Sequence, residues 1–260
     1  MAERTRGFCK YCGKDYTKSG MIRHFMSCGE RKKYLEAEHG TKSCGYFLVV
    51  ISDKYQKDYW LIVEIIENAR LKELDQFIRD IWVECCGHLS EFAIQGVRYE
   101  SEPSEDFWGR TVHKSMNVRL KNVFAPGVIA EYMYDYGSTT SLTLEVKSYR
   151  AGAEGKEKIT ILSRNNPIKI LCSQCGKNTA EWVNPLAFYD QNPFWCMECM
   201  RKEVMKDMEP DEAAEMDDDD ILDCFEIWLP VCNSPRMGVC GYTGSSKYPD
   251  QFLPDKPQKT

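Results

Sequence analysis

Residues 46–51 read Tyr46-Phe47-Leu48-Val49-Val50-Ile51, and residues 60–63 read Trp60-Leu61-Ile62-Val63. Both runs are rich in β-branched and aromatic residues, and a polar stretch at 52–58 separates them, which is the pattern of a β-hairpin. Downstream, apolar residues recur at steps of three and four positions and predict an amphipathic helix; they are Leu71, Leu74, Phe77, Ile78, Ile81 and Trp82. The hairpin and helix together indicate an α+β domain.

Further strands are expected after the helix, in segments separated by Gly, Pro and acidic turns: Leu89–Tyr99, Met116–Val123, Val128–Tyr136 and Ser141–Tyr149. They predict a mixed or antiparallel sheet. Cysteine pairs at CxxC spacing near both ends of the chain predict two small zinc modules that flank it. The 260 residues then divide into four blocks. These are a zinc finger at 1–33, the α+β domain at 44–164, a four-cysteine module at 167–206, and an acidic linker with a C-terminal tail at 207–260, whose last dozen residues we expect to be disordered.

The N-terminal cluster consists of Cys9, Cys12, His24 and Cys28. A CxxC turn can present two thiolates to one ion, and residues four apart on a helix project from the same face. Four protein ligands of this kind suit tetrahedral Zn²⁺ and leave no position for water or substrate, so the predicted site is structural. A module this small is expected to need its metal to fold, and to form its own zinc-centred core without the rest of the chain.

These residues resemble a DNA-type zinc finger of the Cys-Cys-His-His class in its Cys-Cys-His-Cys variant, over residues 8–31. The interval between Cys12 and His24 is one residue shorter than that family's usual loop, and Phe8 abuts Cys9 instead of standing two residues before it. The resemblance places base-reading side chains near Thr17, Gly20 and Arg23, of which only Arg23 can make a strong bidentate contact to guanine.

The four-cysteine cluster consists of Cys172, Cys175, Cys196 and Cys199. Two CxxC pairs about twenty residues apart are typical of a zinc site, and the module resembles a zinc ribbon or treble clef. Redox catalysis, the rival interpretation of a CxxC pair, is disfavoured by the second pair. The sequence therefore predicts two Zn²⁺ ions per chain.

Other cysteines carry weaker signals. Cys85 and Cys86 are adjacent near the end of the predicted helix, where one of them is expected to be buried. Cys232 and Cys240 flank a turn and could meet across a hairpin. A third metal site built on that pair would need two more ligands.

Charge is unevenly distributed along the chain. Residues 1–33 hold nine lysines and arginines and three acidic residues, a net charge of +6, whereas the whole chain carries −6. This finger alone has the charge expected at a phosphate backbone, so we expect nucleic-acid contacts there. The expected contact residues are Lys10, Lys14, Lys18, Arg23, Lys32 and Lys33. No signal peptide or long apolar run is recognisable in the sequence, which predicts a cytoplasmic protein with no membrane contact.

The central domain contains two motifs that carry a family resemblance. Residues 74–92 pair a helix with the strand motif His88-Leu89-Ser90-Glu91-Phe92, and about forty residues later comes Tyr132-Met133-Tyr134-Asp135-Tyr136-Gly137-Ser138. Over residues 44–150 these resemble the plasmid Ri ORF-three-like family, also labelled insertion-element passenger TnpR proteins. The resemblance implies a compact α+β domain of prokaryotes, associated with mobile elements and without an established activity.

His88 and Asp135 form a candidate polar site. If their strands are neighbours, the carboxylate could orient the imidazole as in general-base sites; alternatively, both residues serve the local turns. We expect the structural role, and hence a non-enzymatic zinc protein that binds nucleic acid or a nucleoprotein. The alternative is a protein–protein adaptor with purely structural zinc sites, and no small-molecule substrate is indicated.

Overall fold

A computed structural model describes residues 4–37, 42–103, 113–187, 192–206 and 208–255. The strands are β1 (Arg6–Phe8), β2 (Asp15–Thr17), β3 (Ser43–Asp53), β4 (Trp60–Ile66), β5 (Ser90–Ile94), β6 (Val97–Glu100), β7 (His113–Ser115), β8 (Ile129–Tyr134), β9 (Thr140–Ala153), β10 (Ile159–Arg164), β11 (Trp182–Val183), β12 (Phe194–Trp195) and β13 (Leu229–Pro230). The α-helices are α1 (Lys18–Ser27), α2 (Gly29–Glu36), α3 (Leu71–Ile78), α4 (Met197–Met205), α5 (Pro210–Glu215) and α6 (Asp218–Asp223). A π-helical turn at Arg79–Val83 extends α3.

Eight strands form one mixed sheet in the order β10-β4-β3-β9-β8-β5-β6-β7. Among the strands that the structure describes, only the β6–β7 pair is parallel. The predicted hairpin is β3–β4, in antiparallel register with Val49 opposite Val63. The expected α+β fold class is confirmed.

Helix α3 packs its apolar stripe against this sheet. Leu71, Leu74, Ile78, Ile81 and Trp82 are all fully buried in the main core. The predicted strand at Met116–Val123 is wrong, because the segment holds a 3₁₀ turn at Leu120–Asn122 instead. The backbone of this segment covers the start of α3, where the amides of Leu71 and Lys72 donate to the carbonyls of Val118 and Met116. The first turn of a helix has unpaired amides that need such acceptors.

The N-terminal finger docks on the opposite face of the hairpin. Cys9, Tyr11, Met21, Phe25 and Cys28 share one buried cluster with side chains of the central sheet, namely Leu48, Val50, Trp60, Ile62 and Leu162. This explains why β3 and β4 are apolar without alternation: both faces are covered. The finger's core is therefore not independent of the sheet, contrary to the expectation from sequence.

Backbone and charge contacts fix the same docking. Gly7 bridges Asn165 beyond the end of β10, and a Cβ at Gly7 would lie 2.1 Å from the Arg164 carbonyl oxygen, so a side chain there would separate finger and sheet. From α2, Arg31 donates to the buried carboxylate of Glu64 at 2.5 Å. Arg150 of β9 donates to the other oxygen of Glu64 at 2.9 Å.

The C-terminal segment, residues 229–255, wraps back over the central domain. Ser234 Oγ donates to the Trp82 carbonyl at 2.6 Å, and Tyr248 packs edge-on against Phe77 of α3. The Asp255 amide donates to the Lys10 carbonyl at 2.9 Å. The expected disorder of the last dozen residues thus does not extend through 249–255, and the remaining residues, 256–260, lie outside the described part.

Candidate metal centres

The N-terminal cluster is assembled by the β1–β2 turn and the two finger helices. The Cys9 carbonyl accepts from the Gly13 amide at 2.9 Å, which folds the CxxC pair into a tight turn. His24 lies on α1, and Cys28 lies between α1 and α2. The four ligand atoms lie within 4.8 Å of one another, with Cys12 Sγ 3.3 Å from His24 Nε2.

The electrostatics of this cluster suit a cation. Burial, together with the charge of Lys14, lowers the pKa of His24, which keeps its imidazole in the neutral form that binds metal. Burial raises the pKa of the Cys9 thiol to about 12. Burial disfavours the charged thiolate, whereas a bound cation of borderline-soft character, such as Zn²⁺, would stabilise it.

The four-cysteine cluster is assembled by a turn and a helix start. The Gly176 amide donates to the Cys172 carbonyl at 2.8 Å, and Cys196 occupies the residue position directly before α4. The four sulfur atoms lie within 4.8 Å of one another. Backbone amides of Asn178 and Lys177 lower the pKa of Cys175 to about 6. This cluster thus offers four thiol ligands, which is the composition of a structural zinc site.

A third cluster, which the sequence did not predict, groups Cys85, Cys86, His88 and Cys240. Cys240 does not join Cys232 across a hairpin as suggested. Cys232 is buried with Val183, Met237 and Tyr242, whereas Cys240 is exposed. The run Cys85-Cys86-Gly87-His88 held three of the four ligands in four consecutive residues, and this was the available signal.

His88 and Asp135 do lie close together, with 3.6 Å between Nε2 and Oδ2. The carboxylate, however, is engaged by the fully buried Arg236, whose guanidinium donates to Oδ2 at 2.6 Å. Burial alone would raise the pKa of Asp135, but Arg236 and the amides of Gly137 and Ser138 lower it to about 2. Asp135 therefore serves chiefly as the counter-ion of Arg236.

The six basic residues expected to contact phosphate lie in different surroundings. Four are engaged: Lys10 pairs with Asp255 at 2.9 Å, Lys33 with Glu30 at 2.8 Å, Lys32 with Glu36 at 3.8 Å, and Lys18 donates to Ser52 Oγ at 3.2 Å. Lys14 and Arg23 are exposed. Thr17, a proposed base-reading residue, instead caps α1 by accepting from the Gly20 amide at 3.4 Å.

Fold and clusters together define an α+β protein with three thiol-rich groups. Residues 47–167 match the family described as plasmid pRiA4b ORF-3-like protein, so the central domain is similar to that family, as its motifs suggested. Among solved structures, the chain is similar to the protein of unknown function MM3350 from Methanosarcina mazei Go1. The two are 20% identical, with a TM-score of 0.38, and the match covers 69% of this chain and 89% of that one.

No curated protein matches the chain. Within the described residues, every helix is too short or too polar to cross a membrane.

Proposed function

We propose that this chain is a non-enzymatic zinc protein in which the N-terminal and four-cysteine clusters are closed structural sites. The observation that carries the proposal is the convergence of two complete four-ligand sets, each within 4.8 Å. Cys₃His and Cys₄ sets are those that Zn²⁺ takes in structural modules, and they leave no open coordination position for catalysis. The zinc ions would hold the finger and the four-cysteine module in shape for binding a partner.

Zinc content tests this proposal. Elemental analysis of protein purified under reducing conditions should show that Cys9→Ser and Cys196→Ser each lose one zinc ion per chain relative to the native protein. Each substitution removes one of four ligands from a different cluster. In a structural module the zinc affinity depends on the fold that all four ligands close, so losing one thiolate weakens both the site and the fold that presents it. Cys224→Ser is the matched control, because Cys224 is exposed and outside the three clusters. Unchanged zinc in either ligand variant would contradict the proposal for that cluster.

For the partner, we propose nucleic acid, bound through the finger. The net charge of +6 on residues 1–33 supports this, as does the exposure of Lys14 and Arg23. One recess of about 290 Å³ beside the start of α1 has three basic and one acidic side chain in its lining, which consists of Arg4, Thr5, Thr17, Lys18, Ser19, Lys57, Asp58 and Trp60. Such a surface suits phosphate contacts without base selection. The similarity of residues 47–167 to the plasmid pRiA4b ORF-3-like family also supports a role near mobile DNA.

The second candidate is a protein–protein adaptor. It is favoured by the exposed acidic residues of α6, Asp218, Asp219 and Asp220, which could engage a basic partner. Arg201 already pairs with Asp218, so the acidic surface is partly neutralised within the chain.

The salt dependence of binding separates the two candidates. Because four of the six predicted lysine and arginine contacts are already engaged, we expect few phosphates to be neutralised. The log–log slope of affinity against salt for random duplex DNA should be about −2 to −3, from about −0.9 for each phosphate contacted.

Charge variants sharpen this measurement. Lys14→Ala with Arg23→Ala should make the slope shallower by about 2. Lys32→Ala with Lys33→Ala removes the same charge from residues paired within α2 and should change the slope less. Absence of binding at about 50 mM salt would reject nucleic acid and favour the adaptor.

A further inference from the structure

The third cluster has the geometry of a metal site rather than of scattered thiols. Cys240 Sγ lies 3.3 Å from His88 Nε2 and 4.0 Å from Cys86 Sγ. Tetrahedral Zn²⁺ with bonds of about 2.3 Å to sulfur and about 2.0 Å to nitrogen requires ligand separations of about 3.8 Å for S···S and about 3.5 Å for S···N. All four ligand atoms, including Cys85 Sγ, lie within 4.8 Å of one another. A small contraction around one ion would complete the site.

Two distant parts of the chain meet to form this cluster. Cys85 and Cys86 come shortly after the π-helical turn that extends α3. Gly87, with φ of +70°, then turns the chain toward His88, two residues before β5. A side chain at Gly87 would be strained in that conformation. Cys240 arrives 152 residues after His88. Local spacing in the sequence therefore does not account for the fourth ligand.

The loop that carries Cys240 is held rigidly in place. Arg236, whose side chain is fully buried, donates to the Ser138 carbonyl at 2.8 Å, to Thr140 Oγ1 at 3.1 Å and to the Asp135 carboxylate at 2.6 Å. Cys240 itself has a φ of +51°, a conformation that a non-glycine residue adopts only when its surroundings impose it. The backbone is thus fixed in a strained form that directs the loop toward Cys86 and His88.

Arg236 also balances the charge that a metal site would carry. Its guanidinium lies 3.4 Å from Cys85 Sγ. Three thiolates and one Zn²⁺ sum to a charge of −1, which a buried guanidinium stabilises from the second coordination shell. A hydrogen bond from such a group orients a thiolate ligand in the way that outer-shell partners orient ligands in known metal sites.

We propose that Cys85, Cys86, His88 and Cys240 bind a third Zn²⁺, which clasps the C-terminal segment to the end of α3 and the start of β5. The competing arrangement is a disulfide between Cys86 and Cys240. A disulfide would involve only Cys86 and Cys240 and would not explain why His88 and Cys85 lie beside them. The donor set, three sulfurs and one imidazole nitrogen, selects Zn²⁺ over harder cations such as Mg²⁺ or Ca²⁺.

This third zinc ion should exchange faster than the other two. Cys86 and Cys240 are exposed, whereas the N-terminal and four-cysteine clusters each contain at least two buried ligands. A chromogenic chelator added to the folded protein should therefore remove one zinc ion in a fast phase and the others slowly.

Zinc stoichiometry of the full-length protein, purified with reductant, tests the clasp. The native chain should contain three zinc ions, and Cys240→Ser and His88→Gln should each contain two and lack the fast chelation phase. Cys224→Ser is the control and should retain three. The two ligand variants change different segments of the chain, so agreement between them excludes a local folding defect, and circular dichroism checks that both are folded.

Three results would overturn the third zinc site. One is a native chain with only two zinc ions, and another is an unchanged zinc content in Cys240→Ser. The third is a Cys86–Cys240 disulfide found by mass spectrometry in the reduced preparation. Failure of the proposed function appears differently, since Cys9→Ser and Cys196→Ser would then leave the zinc content unaltered.

Discussion

Cys9→Ser is expected to destabilise the central sheet, although Cys9 lies in the finger. Cys9 is fully buried in the same cluster as Leu48, Val50, Trp60, Ile62 and Leu162 of the sheet. Without its metal the finger should unfold, and these five side chains would then lose the cover on one face. Full exposure of a large apolar side chain costs about 1.5–3 kcal/mol, so even partial exposure of this group should cost more than about 4 kcal/mol.

Thermal unfolding followed by circular dichroism measures this effect. For a chain of this size the loss corresponds to a melting temperature lower by about 10 °C or more. Cys224→Ser should melt within about 2 °C of the native protein, because an exposed cysteine outside the clusters is replaced by a residue of the same shape. If Cys9→Ser lost its zinc while the sheet melted at the native temperature, the finger would be an independent module after all.

Cys196→Ser provides the contrast, because among the residues that the structure describes the four-cysteine cluster shares no buried core with the eight-stranded sheet. Its buried neighbours are its own cysteines, with Trp195 packed against them. The small sheet β12-β11-β13 is likewise separate from the large one. The main melting transition should therefore shift by only a few degrees, while limited proteolysis cuts newly between residues 172 and 206. The ranking of the two variants is the reverse of what a free-standing finger would give.

The hairpin and the helix were predictable because their signals are local. Strand and helix each impose a repeat on the apolar residues, and Leu71 to Trp82 follows the helical repeat through both α3 and its π-helical extension. The continuous apolar run of β3 also indicated burial on both faces. It could not indicate what covers the second face, because that depends on the packing of the finger.

Contacts between distant segments explain the remaining differences. Met116–Val123 has the composition of a strand, yet its backbone carbonyls accept hydrogen bonds from the amides at the start of α3. This tertiary contact outweighs the intrinsic β-propensity of the segment. Eight ligands of the N-terminal and four-cysteine clusters are recognisable from CxxC and HxxxC spacing, because each pair is local. Cys240 joins Cys86 and His88 only through the folded path of the C-terminal segment, so sequence spacing contains no trace of it.

The second large effect is expected for Glu64→Gln, which tests the docking of the finger through charge instead of metal. Glu64 lies on β4 with its side chain 6% exposed, and it accepts from Arg31 of the finger and from Arg150 of β9. Burial alone would raise the pKa of Glu64, but the two guanidiniums, Arg150 foremost, hold it below its usual value of 4.5. Glutamine keeps the shape but removes the negative charge that the guanidiniums of Arg31 and Arg150 share on this nearly buried side chain. Removal of one partner from a buried ion pair typically costs about 3–5 kcal/mol.

The pH dependence of stability identifies this cause. Because the pKa of Glu64 is lower in the folded state than in the unfolded one, its contribution is complete above the unfolded value of about 4.5 and is lost as the pH falls through the folded value. Urea unfolding should therefore give a much lower free energy of unfolding for Glu64→Gln than for the native protein at pH 7. The difference between the two free energies should become smaller below pH 4.

A control variant, Glu131→Gln, and the zinc content of Glu64→Gln separate docking from metal binding. Glu131→Gln removes a half-exposed partner of Lys54 and should cost less than about 1 kcal/mol at either pH. Zinc content should stay at the native value in Glu64→Gln, since Glu64 is not a ligand of the N-terminal cluster. A cost no larger than that of Glu131→Gln would mean that the sheet tolerates the paired arginines without Glu64. A loss of stability with zinc retained would instead show that the finger still binds its metal but packs less tightly against β4. The metal would then fold the finger, and the ion pairs of Glu64 would attach the folded finger to the sheet.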